Sequence, residues 1–235
     1  MIKFSLFLLL AIMTFSCSVL RKTPRTELTD GFYSRKQGDS RQKVYVDLHE
    51  NRLDVYPVKI VEGKKTVDTS SVIGNYNKES SIDYKEFTLL RKNSFDLDFL
   101  TIPLKYRIAR EDVPPQLNTE LNGSIYFGLR TDQYKIGYEQ NPLGRQEREI
   151  KHFGFSLGIL TGLGSSVITP TTTNDLTENE YDGLIWTKGI AGIFAINSFT
   201  VGISLGIDNL MDENRNIWIY ESKPWVGIAI GLNIN

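Results

Sequence analysis

The side chains that could carry acid–base, nucleophilic or metal chemistry are few and widely spaced. The chain of 235 residues has two histidines, His49 and His152, and one cysteine, Cys17. The histidines have no ligand spacing; His152 could be a functional group, although a structural residue near a strand end is the simpler interpretation. Neither a phosphate-binding glycine loop nor a G-x-S-x-G elbow occurs. We therefore expect no catalysis, no cofactor and no metal ion.

Cys17 stands where a lipid could be attached. Residues 4–15, which follow Lys3, form an apolar run of about a dozen residues, shorter than the roughly 20 that span a bilayer. Ser16 and Cys17 resemble the lipobox of bacterial lipoproteins, although Thr14 stands where leucine is preferred. We predict a signal peptide over 1–16 and lipidation of Cys17. The alternative is an ordinary cleavage site with an incidental cysteine.

Two further sets of charged residues could act as sites. Lys105, Arg107, Arg130 and Asp208 lie on predicted strands and are expected to face the interior of a closed sheet. There they could form an ion or solute path, or a network of salt bridges that plugs a narrow lumen. We favour the plug, because isolated buried charges are costly. The acidic residues of the segment 175–180 could bind calcium, but a solvated acidic loop is the simpler interpretation.

The elements that must position these residues are strands with a strict alternation. Segments 121–130, 153–163, 199–207 and 226–234 carry large apolar side chains at every second position and mostly glycine, serine or alanine between them. A soluble sheet would carry long polar side chains on its second face. Small residues suit the inside of a narrow barrel, and large aliphatic ones suit lipid. The pattern predicts an all-β chain with an antiparallel, up-and-down transmembrane β-barrel.

Charges and connection lengths agree with a membrane barrel. Residues 183–207 contain one charge, Lys188, whereas 153–170 and 224–235 contain none. This segregation is expected because a charge that faces lipid at mid-depth costs about 2–4 kcal/mol. The connection at 197–198 is tight, as on the periplasmic side, and those at 169–182 and 209–223 are long, as outside the cell.

The strand count and two local features follow from the same pattern. Six segments are predicted to be strands, namely 95–109, 119–131, 149–166, 182–196, 198–210 and 223–235; with 84–91 and 133–140 the count becomes eight. The apolar phase changes near Leu100, which predicts a β-bulge there. Trp218, Tyr220 and Trp225 are predicted to form an aromatic girdle at one strand end, with ordinary strand packing as the alternative.

The part of the chain before the predicted barrel differs in composition and in its pattern of apolar residues. Residues 43–48 and 52–57 alternate around His49-Glu50-Asn51, which predicts a β-hairpin. Residues 62–81 are rich in polar residues and are predicted to be a loop or linker. The predicted organisation is therefore a signal peptide over 1–16, a small polar, β-rich region over 17–83 and the barrel over 84–235.

Three stretches support a family resemblance. They are Leu100-Thr101-Ile102-Pro103-Leu104-Lys105-Tyr106-Arg107, Gly189-Ile190-Ala191-Gly192-Ile193 and Trp218-Ile219-Tyr220-Glu221-Ser222-Lys223-Pro224-Trp225-Val226-Gly227. They resemble sequences of uncharacterised outer-membrane β-barrel (lipo)proteins of the Bacteroidetes group, over roughly residues 95–235. The resemblance implies a barrel and an outer-membrane location, and it implies no activity. The chain departs from the common terminal aromatic residue of such barrels, because it ends in Ile234-Asn235.

The sequence thus predicts an outer-membrane β-barrel lipoprotein with a structural or binding role. We expect a monomer that contacts membrane lipid and an unknown extracellular or periplasmic ligand. A net charge of −1 gives no support to a nucleic-acid partner. The alternatives are a narrow outer-membrane channel and a periplasm-facing lipoprotein with a β-sandwich or lipocalin-like fold that binds an apolar ligand.

Overall fold

The computed structural model describes residues 27–37, 40–80, 87–110, 112–196 and 199–232. Cys17 and the predicted signal peptide lie outside these residues. Within them, the regular structure is β apart from two single 3₁₀ turns, Thr171–Thr173 and Glu213–Asn216. The described part of the chain has no helix that is both long and apolar enough to cross a membrane. The prediction of an all-β, antiparallel chain is confirmed.

The described residues form thirteen strands that pair edge to edge. Their bounds are β1 Gly31–Gln37, β2 Ser40–Leu48, β3 Arg52–Val61, β4 Lys64–Val67, β5 Gly74–Asn77, β6 Glu79–Ser80, β7 Thr88–Arg107, β8 Gln116–Thr119, β9 Asn122–Gln140, β10 Gln146–Ile168, β11 Tyr181–Ile196, β12 Phe199–Leu210 and β13 Pro224–Leu232.

Six long strands form a partial ring. Strands β7, β9, β10, β11, β12 and β13 pair in that order, and β13 pairs again with β7. Strand β7 serves both neighbours because its residues 88–100 pair with β9 and its residues 99–107 pair with β13. Cross-strand partners can be followed from Leu97 of β7 through the other five strands of the ring. They lead back to β7 at Tyr106 and not at Leu97. A sheet that curves round on itself requires such a stagger.

The predicted count of eight strands is not confirmed. From residue 88 onward, the predicted segments 84–91 and 95–109 belong to the single strand β7, and 119–131 and 133–140 belong to β9. Polar residues at 91–94 and 130–133 interrupt the apolar pattern and thereby suggested strand ends. Backbone pairing does not depend on the polarity of the outward side chains, so both strands continue through these positions.

Burial follows the alternation and shows which face of the ring lies inside. One row of mutually paired residues is exposed on every strand: Leu97, Phe127, Ile159, Ile190, Leu205 and Val226. The adjacent inner row is Asp96, Gly128, Gly158, Ala191, Ser204 and Gly227. The predicted sidedness, with bulky residues outside and small residues inside, is therefore confirmed for these two rows, whereas other inner positions carry bulky residues such as Tyr126, Leu160 and Trp225.

The exposed face forms a continuous surface that we call the outer apolar belt. It contains Phe95, Leu97, Phe99, Ile125, Phe127, Leu129, Phe153, Phe155, Leu157, Ile159, Leu163, Leu184, Trp186, Ile190, Phe194, Ile196, Ile203, Leu205, Val226, Ile228 and Ile230.

A β-bulge interrupts β7, but later than predicted. Ile228 of β13 pairs with Leu104, whereas Ile230 pairs with Thr101, so β7 has one additional residue in this interval. The buried positions accordingly change parity between Ile102 and Lys105. Apolar residues occupy both parities from 99 to 104, and for that reason the pattern placed the bulge near Leu100. Pro103 lies inside the bulge, where its missing N–H is tolerated.

The N-terminal strands extend the sheet from the start of β7. Strand β1 pairs with β7 and β2, and the predicted hairpin is confirmed as β2–β3, closed between His49 and Arg52. Its core consists of Leu28, Tyr33, Val44, Val46, Leu53, Val55, Leu90, Tyr134 and Ile136. The prediction of a loop over 62–81 is wrong, because β4, β5 and β6 lie there. These strands are short and mostly exposed, so they carry no apolar alternation.

The contact between β9 and β10 leaves no room for a side chain at Gly158. A Cβ atom there would lie 2.1 Å from the carbonyl oxygen of Phe127 and 2.5 Å from the Cα of Gly128. We expect Gly158→Ala to lower the free energy of unfolding by about 1–3 kcal/mol, because backbone must move to accommodate the methyl group. Urea unfolding of the chain measures this change.

Gly192→Ala is the matched control for that substitution. The Cβ would meet only the ring of Phe155, at 3.9 Å, which is an ordinary contact. We expect its urea midpoint to stay near that of the unsubstituted chain. Equal midpoints for the two variants would contradict the close approach of β9 and β10.

Candidate functional site

Four charged side chains meet on the buried face of the ring, and we call them the charge cluster: Lys105, Arg107, Glu120 and Asp208. The Lys105 Nζ lies 3.0 Å from Asp208 Oδ2 and 2.9 Å from Glu120 Oε2. The Arg107 Nη2 lies 2.7 Å from Asp208 Oδ2 and 2.9 Å from Glu120 Oε1. The side chains of all four are almost completely buried. Two cations and two anions therefore compensate one another away from water.

Neighbouring hydroxyl groups add one hydrogen bond to each of the two carboxylates. Thr187 donates from Oγ1 to Asp208 Oδ1 at 2.7 Å, and Ser166 donates from Oγ to Glu120 Oε1 at 2.9 Å. Because buried ions are costly unless they are both paired and hydrogen-bonded, these contacts are what allows charge at this position. The residues come from β7, β10, β11, β12 and the residue after β8, so the cluster joins most of the ring.

The three aromatic residues predicted as a membrane girdle are buried instead. Trp225 is on the inner parity of β13, and Lys105 Nζ lies 4.8 Å from the centre of its ring. Trp218 and Tyr220 belong to the connection before β13, and the Arg107 guanidinium lies 5.2 Å from each ring centre. The girdle prediction is wrong because this connection folds back over the interior, where the rings stack on cations.

Arg130, the fourth predicted interior charge, belongs to a second buried group. Its Nε donates to Asp132 Oδ1 at 2.8 Å, and the Nε2 of His152 lies 2.8 Å from the same oxygen. Asp96 is also buried on this face, with Oδ1 4.0 Å from Arg130 Nη1. The structure therefore brings Lys105, Arg107 and Asp208 together and puts Arg130 with His152, which is an interior residue.

The long connections cover one end of the interior. The N–H of Ile219 donates to the carbonyl of Thr172, which links the connection 211–223 to the connection 169–180 at 3.0 Å. Val113, Ile168, Ile185, Leu210, Trp218, Ile219 and Tyr220 form a small apolar core beneath them. This end of the ring is thus filled by side chains.

Glu221 attaches the same connection to the end of β12. Its carboxylate accepts hydrogen bonds from Asn209 Nδ2 at 2.6 Å, from the N–H of Leu210 at 2.8 Å and from Arg215 Nε at 2.8 Å. Partial burial alone would raise the pKa of Glu221, but these hydrogen bonds and the charge of Arg215 lower it below its ordinary value. The carboxylate therefore stays ionised and attached at neutral pH.

The described residues contain several buried donors that have no acceptor among them. They are Trp218 Nε1, the Tyr220 hydroxyl, Trp225 Nε1 and Arg107 Nη1 and Nε. Buried polar groups of this kind are commonly satisfied by ordered water. The described part of the chain has no group of three or more His, Cys, Asp or Glu side chains that could hold a metal ion, and Asp175 and Glu180 are exposed in their connection.

Sequence reasoning did not identify several residues of the two buried groups. Asp96 and Asp98 alternate with Phe95, Leu97 and Phe99, so their parity alone could have placed them on the inner face. Glu120 has no comparable signal, because it lies between β8 and β9 and reaches the cluster only through folding.

Comparisons of the chain with protein-family models, with curated proteins and with solved structures found no match.

Proposed function

We propose that the chain is an outer-membrane β-barrel lipoprotein with a structural or binding role and without catalysis. In this proposal the six ring strands cross the membrane and the N-terminal strands lie in the periplasm. The observation that carries it is the outer apolar belt, which is exposed on all six strands, whereas the inner face combines small and polar residues with one buried apolar cluster that includes Leu100, Tyr126 and Trp225. A water-facing surface of this size would be unusual, since soluble monomers rarely expose large contiguous apolar patches.

The height of the belt suits a bilayer. On β10 the belt extends from Phe153 to Leu163, which corresponds to about 33 Å of strand at roughly 3.3 Å per residue. At a tilt of 35–45° this gives about 25 Å, the height of the apolar band on outer-membrane barrels. Below Phe153 the outer face is charged, with Lys151 Nζ 2.5 Å from Glu139 Oε1.

The proposed orientation follows from the ends of the strands. Ile196, the last residue of β11, pairs with Phe153, and β10 continues past this level to pair with β6 and β9. The N-terminal strands therefore lie at the same end as the two-residue interval between β11 and β12, and short connections are at the periplasmic end in barrels of this kind. Cys17 precedes Glu27 by ten residues, and an extended chain of that length spans at most about 35 Å. A lipid on Cys17 could thus insert in the adjacent leaflet.

The side chains of the interior argue against the two alternative functions, which are a channel and a lipocalin-like carrier. A channel needs a continuous polar path, whereas the charge cluster and the folded connections occupy the axis. A lipocalin-like carrier needs an internal cavity lined by bulky apolar side chains. Here the bulky side chains of the interior, among them Tyr126, Leu160 and Trp225, pack into one buried cluster, and many others form the outer face.

Flotation and gel mobility test the proposal together. The full chain, refolded from urea into vesicles of zwitterionic phospholipid, should float with the vesicles in a density gradient and resist extraction by alkaline carbonate. Unboiled samples in SDS should migrate differently from boiled ones, because closed barrels tend to stay folded. Planar bilayers that contain the protein should show no steady current, and a steady current would instead favour the channel.

A chain that remains folded and monodisperse without detergent or lipid after removal of residues 1–17 would contradict the membrane proposal. The same protein would then be a tethered periplasmic β protein. A chain that carries Cys17→Ser is the matched control for the anchor: it should still show the mobility shift, because the strands and not the lipid hold the barrel in the membrane.

A further inference from the structure

A cleft opens where β1 separates from β7. The two strands pair only at Ser34–Arg91, Arg35–Leu90 and Lys36–Leu89. Beyond Arg91, β7 enters the ring, whereas β1 remains paired with β2. The resulting space, of about 320 Å³, lies between the N-terminal strands and the ring. The residues that line this cleft are members of neither the charge cluster nor the outer apolar belt.

The walls of this cleft are strongly cationic. Five of its lining residues are basic, namely Arg41, Lys43, Lys65, Arg91 and Lys92, and none is acidic. Within the described part of the chain, none of the five forms an ion pair. Uncompensated cations that line one concave surface focus a positive potential and favour a bound anion.

Aromatic rings and a threonine orient three of these cations. The Lys65 Nζ lies 5.4 Å from the ring centre of Phe32, and the Lys92 Nζ lies 5.4 Å from that of Tyr33. Arg91 donates from Nη2 to Thr131 Oγ1 at 3.3 Å. Ordering of this kind reduces the entropy that a ligand must remove from flexible side chains on binding. Arginine and lysine around one concave space are suited to a phosphate group.

The cleft is at the edge of the outer apolar belt. Arg91 and Asn93 share the outer parity of β7 with Phe95 and Leu97, which are exposed members of the belt. At about 3.3 Å per residue, Phe95 begins roughly 13 Å along the strand from Arg91. A ligand that has a phosphate in the cleft would therefore have apolar surface directly beside it for a hydrocarbon chain.

We propose that this basic cleft binds the phosphate headgroup of an anionic membrane lipid whose acyl chains lie along the adjacent part of the belt. The proposal rests on the proposed function, because it requires the belt to be in a bilayer. It adds a specific lipid site at the interface, on the side where the N-terminal strands lie. The phosphate, and not the acyl chain, provides the selectivity.

Titration of short-chain lipids tests the proposal. The full chain in neutral detergent is titrated with dioctanoyl phosphatidic acid and, in parallel, with dioctanoylglycerol, which has the same chains and no phosphate; native mass spectrometry counts the bound lipid. We expect saturable binding of phosphatidic acid that weakens with added salt. Dioctanoylglycerol should bind at least roughly tenfold more weakly, the effect of losing a charge-assisted hydrogen bond or more.

A matched pair of variants locates the site. Lys43→Gln combined with Arg91→Gln removes two cleft charges, and Lys64→Gln combined with Lys223→Gln removes two exposed charges elsewhere. The first pair should weaken phosphatidic acid binding roughly tenfold or more, and the second should leave it unchanged. Both variants must retain the gel mobility shift, so that a folding defect is not mistaken for a binding defect.

Three outcomes would overturn the lipid site. They are equal binding of dioctanoylglycerol, unchanged binding by the cleft variant, and competition by inorganic phosphate at the same concentration as phosphatidic acid, which would indicate a site for the free anion. In each case the unsubstituted chain would still float with zwitterionic vesicles, so the membrane proposal would stand. Failure of flotation would instead reject the membrane proposal itself and the lipid site with it.

Discussion

Replacement of Asp208 by asparagine should lower the free energy of unfolding by about 3–5 kcal/mol. The asparagine keeps the volume of the side chain but removes one of the two anions that compensate Lys105 and Arg107. One buried positive charge then remains without a counter-ion in a place from which water is excluded. Urea unfolding in detergent, followed by tryptophan fluorescence, measures the loss, because Trp218 and Trp225 lie against the cluster.

The same chemical change at an exposed site provides the control. Asp182 is exposed at the start of β11, and Asp182→Asn should change the free energy of unfolding by no more than about 0.5 kcal/mol. A second variant, Lys105→Met together with Asp208→Asn, restores the charge balance between Arg107 and Glu120 and should recover part of the stability. Equal losses for Asp208→Asn and Asp182→Asn would show that the cluster is not the buried, compensated network described above.

Replacement of Leu157 by arginine should lower the stability of the chain in lipid vesicles by about 2–4 kcal/mol. Leu157 is 57% exposed and lies midway along the belt on β10, facing Leu129 and Gly192 on the neighbouring strands. In water, an arginine at such an exposed position would be harmless or would improve solubility. In a bilayer it would place a charge near the middle of the hydrocarbon, so the sign and size of the effect report on the solvent around the belt.

Leu176→Arg is the matched control, because it makes the identical change in the long connection 169–180. Leu176 is 67% exposed, and no lipid is expected there. Reversible folding into vesicles as a function of urea gives the free energy for each variant, with the folded fraction read from the gel mobility shift. Losses of the same size for the two leucines would mean that the belt does not face hydrocarbon.

The outcome at individual residues shows why some expectations succeeded. Parity alone predicts that Phe155 and Gly158 lie on opposite faces, and they do, because successive residues of a strand point to opposite sides. Lys105, Arg107, Arg130 and Asp208 were assigned to the inside for the same reason, and all four are buried. The two-residue period of a strand is sufficient to assign its residues to one face or the other, so the partner strands need not be known.

Other expectations depended on partners and were not met in full. The bulge was expected near Leu100, but its position depends on how β7 pairs with β13, which follows about 120 residues later in the chain. The girdle was expected from a cluster of aromatic residues, but Trp218 and Tyr220 are turned inward by a connection that hydrogen-bonds to Thr172. Neither of these contacts between distant segments can be recognised from the local pattern of apolar and polar residues.

The amino-acid sequence by itself determined the β class of this protein, the face on which each strand residue lies and the choice of small residues for the interior. Those properties depend on the two-residue period of a strand and on side-chain size, and both can be read within ten residues. Only the tertiary structure decided that six strands form the ring, that Glu120 completes the charge cluster and that a basic cleft opens beside β1. Each of these features depends on the register and pairing of distant segments. The free energy of such pairing is the sum of many contacts, which no short stretch of sequence contains.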